Sequence, residues 1–316
     1  MPSITQLEYI IAVDRFRHFS KAADYVHISQ PTLSAQIQKA EEEVGIVIFD
    51  RNKKPLAITD QGKRFLEQAK IVVREHQKLI QAARSETDEI QGELRFAIIP
   101  TLVTSMVPRL IELISKQLPH AEIFLDEQKT PDIISALKDD RLDLALLATP
   151  LHDERIKESP VFYEPFFIFC SPGHPLTKTS SVTEKNLSGE DLWLLREGHC
   201  LRNQTISLCG GDLQRTLYQN IHFEGGSTES LVELVRRGHG YTLIPQLHLG
   251  LLTPDEQRQQ VRPIRSPVPC REVSLVYRKG DWRATHFKKL KELIQSTVPK
   301  EMQKRPQAKS EVVGID

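Results

Sequence analysis

The chain has 316 residues, with 42 basic and 42 acidic side chains and a formal net charge of zero. This length predicts two or three domains, and the neutral balance argues neither for nor against nucleic acid as a partner. Because no apolar run approaches the roughly 18–20 residues of a membrane span and the N-terminus has no signal-peptide pattern, we expect a cytoplasmic protein with no membrane partner. Four cysteines in such a chain do not make a secreted disulfide framework, and the absence of CxxC and HExxH motifs predicts neither a metal site nor another cofactor.

Residues 5–58 have the pattern of a compact helical unit. Ser20 can cap one short helix and Ser29 the next, with Pro31 in the first turn of the second helix, where its missing N–H costs little. Two short helices joined by a tight turn form a helix-turn-helix, whose second helix can enter the DNA major groove. An ordinary helical hairpin would give the same pattern, so this pattern alone leaves DNA binding open.

A basic segment from Phe49 to Thr59 is typical of a β-hairpin wing. Its cations, Arg51, Lys53 and Lys54, can reach DNA phosphates in such a wing. A solvated turn would have the same composition, so the wing too depends on its context.

Residues 60–90 contain few helix breakers and predict one long helix, and the polar residues 85–92 at its end predict a hinge. An alternating spacing of three and four residues gives the helix a coiled-coil seam. The members of this seam are Phe65, Ala69, Val72, His76, Leu79 and Ala83. A helix of this kind can pair two winged domains so that they read two half-sites.

The order and spacing of residues in the first sixty positions resemble the N-terminal domain of LysR-type transcriptional regulators. The resemblance is carried by Leu7, Phe19 to Ala23, Ser29 to Ser34, Ile37, Glu41, Gly45, Phe49, Arg51, Leu56, Ile58, Thr59 and Gly62. It implies that the unit at residues 1–59 binds DNA. Ala35 stands where the family commonly has arginine. The residues then expected to contact DNA are Gln30, Pro31, Thr32, Ser34, Gln36, Arg51 and Lys53.

From residue 93 to 299, strands and helices alternate, which predicts α/β architecture. The expected strands are 94–99, 121–125, 142–147, 161–170, 191–195, 221–223, 241–244 and 273–277. We expect a second lobe at about 163–267. The two lobes together resemble the effector domain of LysR-type regulators, which is similar to periplasmic binding proteins. Ligands of such sheets bind at the carboxyl ends of strands, which here carry Thr101 and Thr130. The charged tail at 300–316 is expected to be disordered.

Cys200 and Cys209 lie nine positions apart, with His199 directly before the first and Arg202 two positions after it. A nearby cation, and a helix N-terminus if Cys200 begins a helix, would lower the pKa of its thiol. In an unbroken helix the two α-carbons would be roughly 13–14 Å apart, whereas a disulfide needs less than about 7 Å. A bond between them therefore requires the segment to refold. Two buried cysteines that never meet are the alternative.

Within the family, Gly198-His199-Cys200-Leu201-Arg202-x-Gln204 followed by Cys209 resembles the peroxide-sensing OxyR branch. The resemblance implies that Cys200 is the peroxidatic cysteine and Cys209 the resolving one. It places Thr101, Thr130, His199 and Arg202 in a peroxide pocket.

One residue departs from this motif, and two further cysteines lie outside it. Asn203 replaces an acidic residue of the branch. Cys170 lies in an apolar strand pattern and is expected to be structural. Cys270, in a proline-rich segment, has no role that the sequence decides.

The sequence therefore predicts a regulator, not an enzyme, that senses hydrogen peroxide by a reversible disulfide and activates oxidative-stress genes. Its expected partners are inverted-repeat promoter DNA, RNA polymerase, a thiol reductant and further copies of the chain in a homotetramer built from dimers. One alternative is a LysR-type regulator that binds a small metabolite between the lobes, in which Cys200→Ser would leave regulation intact. The other is a thiol peroxidase, which would turn over continuously with a reductant.

Overall fold

The structure, a computed structural model, describes residues 1–51, 53, 56–84, 90, 92–187, 191–209, 217–218, 221–265, 267–305 and 310–315. The chain divides into two units, Met1–Thr87 and Asp88–Asp316. None of the helices in the described ranges is both long enough and apolar enough to cross a membrane.

The N-terminal unit consists of short helices, a two-stranded wing and one long helix. Its elements are α1 (Ile4–Phe16), α2 (Phe19–Tyr25), α3 (Gln30–Val44), β1 (Phe49–Asp50), β2 (Ala57–Ile58) and α4 (Asp60–Arg84). Ser29 caps α3 by accepting a hydrogen bond from the Thr32 N–H, as predicted. The cap of α2 is His18 rather than Ser20, because the helix begins at Phe19 and Ser20 already lies in its first turn.

The wing is fixed to α3 by one carboxylate. Glu41 Oε1 accepts the backbone N–H groups of Ile48 at 2.7 Å and Phe49 at 3.1 Å. Gly45 ends α3 with φ of +71°, a conformation that favours glycine and turns the chain toward the wing. The buried residues of α1, α2, α3 and the wing then share one apolar core, which includes Ile10, Val13, Ala22, Leu33, Ile37 and Phe49.

Helix α4 divides the predicted seam between two environments. Ala69 and the partly buried Phe65 pack against α1, so this end of the seam belongs to the core of its own unit. Val72 and Leu79 are 46% and 69% exposed. The side chain of Ala83 and most of the expected hinge at 85–92 lie outside the described residues.

The second unit alternates strands and helices. Its first elements are β3 (Gly92–Ile98), α5 (Pro100–Gln117), β4 (Ala121–Glu127), α6 (Thr130–Lys138), β5 (Leu144–Thr149) and β6 (Ile156–Cys170). These are followed by β7 (Leu192–Trp193), α7 (Cys200–Cys209), β8 (Leu217–Tyr218), β9 (Ile221–His222), α8 (Thr228–Arg236) and β10 (Tyr241–Pro245). The last are α9 (Pro254–Gln259), β11 (Val261–Pro263), β12 (Val268–Arg278), α10 (Ala284–Ser296) and β13 (Ser310–Val312).

Most of these strands join one mixed sheet in the order β4–β3–β5–β12–β6–β10–β7. Strand β3 is parallel to β4 and β5, whereas β12 is antiparallel to β5 and β6. Strand β10 is antiparallel to β6 and parallel to β7. Because β3 and β4 are parallel neighbours, the helices that follow them begin at the same edge of the sheet.

Two apolar clusters correspond to two lobes. Phe162 of β6 belongs to the first cluster and Phe166 of the same strand to the second, so β6 passes from one lobe to the other. Cys200 packs in the first cluster and Cys209 in the second. The predicted fold class, a two-lobed α/β domain preceded by a winged helix-turn-helix and a long helix, is confirmed.

The end of the chain differs from the expected disordered tail. A short 3-10 helix covers Lys300–Met302, and β13 pairs in parallel with the start of β12. The charged composition suggested disorder, but Val313 is buried in the second cluster and Ile315 packs against the first. These apolar side chains anchor the described part of a segment whose average composition is polar.

Candidate functional site

Cys200 is the first residue of α7 and follows a tight turn. Gly198 in this turn has φ of +88°, and a Cβ there would lie 3.0 Å from the side-chain Cδ of Lys129, so both conformation and space favour glycine. Lys129 Nζ donates a hydrogen bond to the Glu197 carbonyl at 3.0 Å. The start of α6 and the turn before α7 are therefore held together beside the thiol.

A narrow pocket lies beside Cys200. Thr101 reaches it from the first turn after β3 and Thr130 from the first turn after β4, because these parallel strands end at one edge of the sheet. The residues that line it are Ile99, Pro100, Thr101, Thr130, Gly198, His199 and Cys200. The structure thus brings Thr101, Thr130 and His199 together around the thiol.

Burial raises the pKa of the Cys200 thiol above its ordinary value. The Arg271 guanidinium opposes this rise most, followed by the backbone N–H of Leu201 and the Thr130 hydroxyl, since each favours the thiolate. The prediction of a lowered pKa was wrong, because the loss of hydration outweighs these favourable contacts.

The cation that acts on Cys200 is Arg271 on β12. Two nitrogens of this fully buried guanidinium, Nη2 and Nε, donate to Glu164 Oε2 at 2.7 and 2.9 Å. Its third nitrogen, Nη1, donates to Thr101 Oγ1 at 2.8 Å. The other Glu164 oxygen accepts the Leu247 N–H at 2.7 Å. A buried ion is stable only with such partners. Glu164 therefore both balances Arg271 and fixes its position at the pocket.

Arg202, predicted for the same pocket, has different partners. Its Nη1 donates to the Leu195 carbonyl at 2.7 Å and lies 3.1 Å from the Glu224 carboxylate. Residues two positions apart in a helix do not share a face, so proximity to Cys200 along the chain does not bring Arg202 to the sulfur. These contacts hold α7 against its neighbouring segments.

His199 supplies a neutral imidazole to the pocket. It is 4% exposed, and burial, together with the Lys129 and Arg196 cations, lowers its pKa to about 4. Among the described residues, neither ring nitrogen has a hydrogen-bond partner. A neutral imidazole has one donor and one acceptor nitrogen, so His199 can form a hydrogen bond with a small polar ligand.

Cys209 lies at the opposite end of α7. Burial raises the pKa of its thiol to about 12, and the Glu184 carboxylate adds to the rise. Both cysteines are free thiols, and the unbroken helix holds their α-carbons roughly 13–14 Å apart. A Cys200–Cys209 bond cannot form unless α7 unwinds.

The other two cysteines pack within the sheet. Cys170 on β6 is buried in the second cluster, and burial raises its pKa to about 12. Cys270 on β12 is also buried, and its Sγ donates to the Glu311 carbonyl at 3.5 Å. Burial, with the Glu272 carboxylate, raises its pKa to about 11. High thiol pKa values make both cysteines poor nucleophiles.

The predicted DNA-contacting residues of α3 differ in exposure. Gln30, Pro31 and Thr32 are exposed at its N-terminus, where a recognition helix presents side chains to base edges. Ser34 is half-buried and accepts a hydrogen bond from Arg51 Nη1 at 3.0 Å. The exposed start of α3 is therefore the part of the helix most open to DNA.

Two of the remaining predicted contacts, Arg51 and Gln36, form hydrogen bonds within the N-terminal unit. Arg51 Nη2 also donates to Glu41 at 3.2 Å, which ties the wing to α3. Gln36 Oε1 accepts a hydrogen bond from Gln6 Nε2 at 3.2 Å and so contacts α1. Lys53 is exposed, with its Nζ 3.9 Å from the Asp50 carboxylate, and Lys54 lies outside the described residues.

Comparison with known proteins gives the family of both units. Residues 4–63 match the bacterial regulatory helix-turn-helix protein, lysR family, and residues 87–299 match the LysR substrate binding domain. A relative from Escherichia coli K12, the DNA-binding transcriptional dual regulator OxyR, is 34% identical over 93% of this chain and 95% of its own. The chain belongs to the LysR family, in its OxyR branch. The hydrogen peroxide-inducible genes activator of Dickeya chrysanthemi is 33% identical over 96% of this chain and 98% of its own.

A solved member of the OxyR branch has the same fold. A mutant of Corynebacterium glutamicum OxyR superimposes with a TM-score of 0.70 at 27% identity, covering 94% of this chain and 92% of the other. The LysR-type chain is thus similar to this branch over both of its units.

Proposed function

We propose that this LysR-type regulator senses hydrogen peroxide through Cys200 and transmits the signal by forming a disulfide with Cys209. The pocket beside Cys200 carries the proposal, because threonine hydroxyls and an imidazole line it next to one thiol, and the charge of Arg271, which is bonded to Thr101, favours the thiolate. The names of the relatives, hydrogen peroxide-inducible genes activators, support the same ligand.

The first step oxidises Cys200. Its thiolate attacks one oxygen of hydrogen peroxide, the O–O bond breaks, and hydroxide leaves while the sulfur becomes a sulfenic acid. Arg271 stabilises the thiolate, and the hydroxyls of Thr101 and Thr130 orient the peroxide. The neutral imidazole of His199 forms a further hydrogen bond with it.

The second step forms the disulfide. Unwinding of α7 takes Cys209 out of the apolar cluster that raises the pKa of its thiol. Its sulfur then attacks the sulfenic sulfur of Cys200, and the displaced hydroxyl leaves as water with the thiol proton. Since α7 must unwind and Cys209 must leave the second apolar cluster, the chemical step is coupled to a change of fold. A thiol reductant that supplies two electrons restores both thiols and allows the helix to form again.

The change of fold would act on DNA through the assembly of the chain. We infer a homotetramer built from dimers, and the exposed Val72 and Leu79 of α4 offer an apolar surface for pairing. Refolding of α7 alters subunit packing and hence the spacing of the DNA-binding units on inverted-repeat promoter sites. The oxidised form then engages RNA polymerase and activates oxidative-stress genes in the cytoplasm.

The proposed cycle is that of a regulator rather than an enzyme, because every oxidation requires α7 to unwind and every reduction requires it to fold again. We expect each protomer to consume about one peroxide and then to turn over only slowly, because α7 must fold again after each reduction. Peroxide consumption followed in the presence of a dithiol tests this, and rapid sustained turnover would identify a thiol peroxidase instead.

Peptide mass mapping tests the sensor itself. Reduced protein is treated with stoichiometric hydrogen peroxide, the free thiols are trapped, and the digest is searched for cross-linked peptides. We expect a Cys200–Cys209 cross-link that a dithiol reverses. If both cysteines remain alkylatable, the peroxide proposal fails, and a metabolite bound between the lobes becomes the function to test.

A further inference from the structure

The last described residues of the chain, 310–315, form a strap that is bound to α7, the helix that carries Cys200 and Cys209. Asn203 Nδ2 of α7 donates to the Ile315 carbonyl at 3.0 Å, and Gln204 Nε2 donates to the Val313 carbonyl at 3.1 Å. Asn203 and Gln204 both lie between the two cysteines. The strap is therefore attached to the segment that must unwind before a disulfide can form.

The other side of the strap is attached to the sheet. Strand β13 pairs with β12 at Val268, Pro269 and Cys270, and the Val313 N–H donates to the Cys270 carbonyl at 2.8 Å. This pairing ends directly before Arg271, the residue whose charge acts on Cys200. The strap thus joins α7 to the strand that supplies the cation of the pocket.

The strap also packs into both lobes. Val313 is buried in the apolar cluster that contains Cys209, and Ile315 packs against the cluster that contains Cys200. Unwinding α7 to bring the two sulfurs together disturbs the surface that both strap residues cover.

We propose that the strap is a latch that holds α7 in its helical, reduced form and thereby sets how readily Cys200 and Cys209 form a disulfide. The latch rests on the proposed peroxide-sensing function. Its hydrogen bonds depend on the helical spacing of Asn203 and Gln204, so they stabilise the dithiol state and not the unwound disulfide state. An interaction made in one state alone shifts the equilibrium toward that state.

The latch also accounts for the identity of residue 203. Its partner is a backbone carbonyl, which can only accept a hydrogen bond, so the side chain must donate. An asparagine amide donates, whereas an ionised carboxylate is an acceptor only. Asn203 therefore suits the strap in a way that the acidic residue expected at this position does not.

The first test is the dithiol–disulfide equilibrium of the full chain in glutathione redox buffers. Asn203→Ala removes one strap bond and leaves β13 in place. We expect it to favour the disulfide about two- to tenfold, the range of a single hydrogen bond. A tenfold shift makes the reduction potential about 30 mV more negative for this two-electron couple. Glu311→Gln, which changes an exposed strap side chain but no backbone contact, should leave the equilibrium unchanged.

The second test separates the two chemical steps in time. A chain that ends at Arg305 lacks the strap and should form the disulfide faster than the full chain after a peroxide pulse. In Asn203→Ala, we expect sulfenic acid formation at Cys200 to keep its normal rate, because the pocket is intact, while the disulfide step accelerates.

The outcomes distinguish the latch from the function on which it rests. If the full chain forms the disulfide but both variants match it in equilibrium and in rate, the latch is overturned and the peroxide sensor stands. If the full chain forms no Cys200–Cys209 bond with peroxide, the sensor and the latch fail together. Asn203→Ala decides the question even if the shortened chain does not fold.

Discussion

The two ends of helix α7 place the same functional group in different surroundings. At the first residue, the Cys200 thiol meets the Thr130 hydroxyl, a backbone N–H and the charge of Arg271, all of which favour its thiolate. At the last residue, Cys209 packs among apolar side chains, and the Glu184 carboxylate disfavours its thiolate. Both thiols are buried and both pKa values are raised. The two ends therefore differ in the polar groups that counteract burial and not in exposure, and these groups distinguish the proposed reactive end from the proposed resolving end.

Removing the Cys200 thiol, at the end of α7 where polar groups converge (the polar end), should have the largest effect on disulfide formation. We expect Cys200→Ser to abolish the peroxide-dependent cross-link completely, since no sulfenic acid can form. Cys209→Ser should instead leave a sulfenic acid on Cys200 that a dione probe can trap. Cys170→Ala, which removes another buried thiol, should retain the Cys200–Cys209 cross-link in peptide maps. A dione adduct on Cys209 in the Cys200→Ser variant would reverse the assignment of the two ends.

Removing the cation of the polar end should cost stability as well as reactivity. Arg271→Gln leaves the buried Glu164 unpaired, so we expect a loss of about 3–5 kcal/mol in the free energy of unfolding. Denaturant unfolding followed by tryptophan fluorescence measures it, because Trp193 and Trp282 both lie in the second unit. Peroxide should also oxidise Cys200 more slowly in this variant.

The double variant Arg271→Gln/Glu164→Gln separates these two roles of Arg271. It removes both charges and retains an acceptor oxygen for the Leu247 N–H, so we expect it to recover much of the stability. It should not recover the oxidation rate, because the guanidinium is still absent. Recovery of both would mean that Arg271 acts on the fold alone.

The parts of this site that the sequence predicted are those set by local pattern. Thr101 and Thr130 follow apolar runs that end at one edge of the sheet, and His199 and Cys200 adjoin a glycine that permits the turn. Strand positions were predicted to within a few residues where apolar runs had clear ends, as at Pro100. Such features depend on neighbours along the chain, which the sequence displays directly.

The parts that it did not predict depend on contacts between distant segments. Arg271 acts on Cys200 from β12, but it lies before the strand expected at 273–277, so the local pattern did not mark it. Arg202 was expected at the sulfur because it is near in sequence, although a helix directs residues two apart to different faces. The ordered tail was missed because Val313 and Ile315 are few among polar residues, and composition averages over them.

The pH dependence of oxidation gives a smaller and graded effect. Because burial raises the pKa of the Cys200 thiol, the thiol is protonated near neutral pH, and its thiolate fraction rises about tenfold with each pH unit below that pKa. We therefore expect the rate of peroxide oxidation to rise with pH between about 6 and 8, as measured by stopped-flow fluorescence. A flat profile would mean that Arg271 overcomes burial. Alkylation of Cys209 should stay slow throughout, since its pKa is about 12.

The smallest effect should come from one hydroxyl at the polar end. Thr130→Val keeps the shape of the side chain and removes the group that helps to stabilise the thiolate, so we expect oxidation of Cys200 to slow by about two- to tenfold, the range of one hydrogen bond. Thr205→Val is the matched control, because this buried hydroxyl donates to the Leu201 carbonyl within α7. Equal slowing in both variants would show that the rate follows the stability of the helix. Slowing in Thr130→Val alone would show that the groups converging on Cys200 make its end of α7 the reactive one.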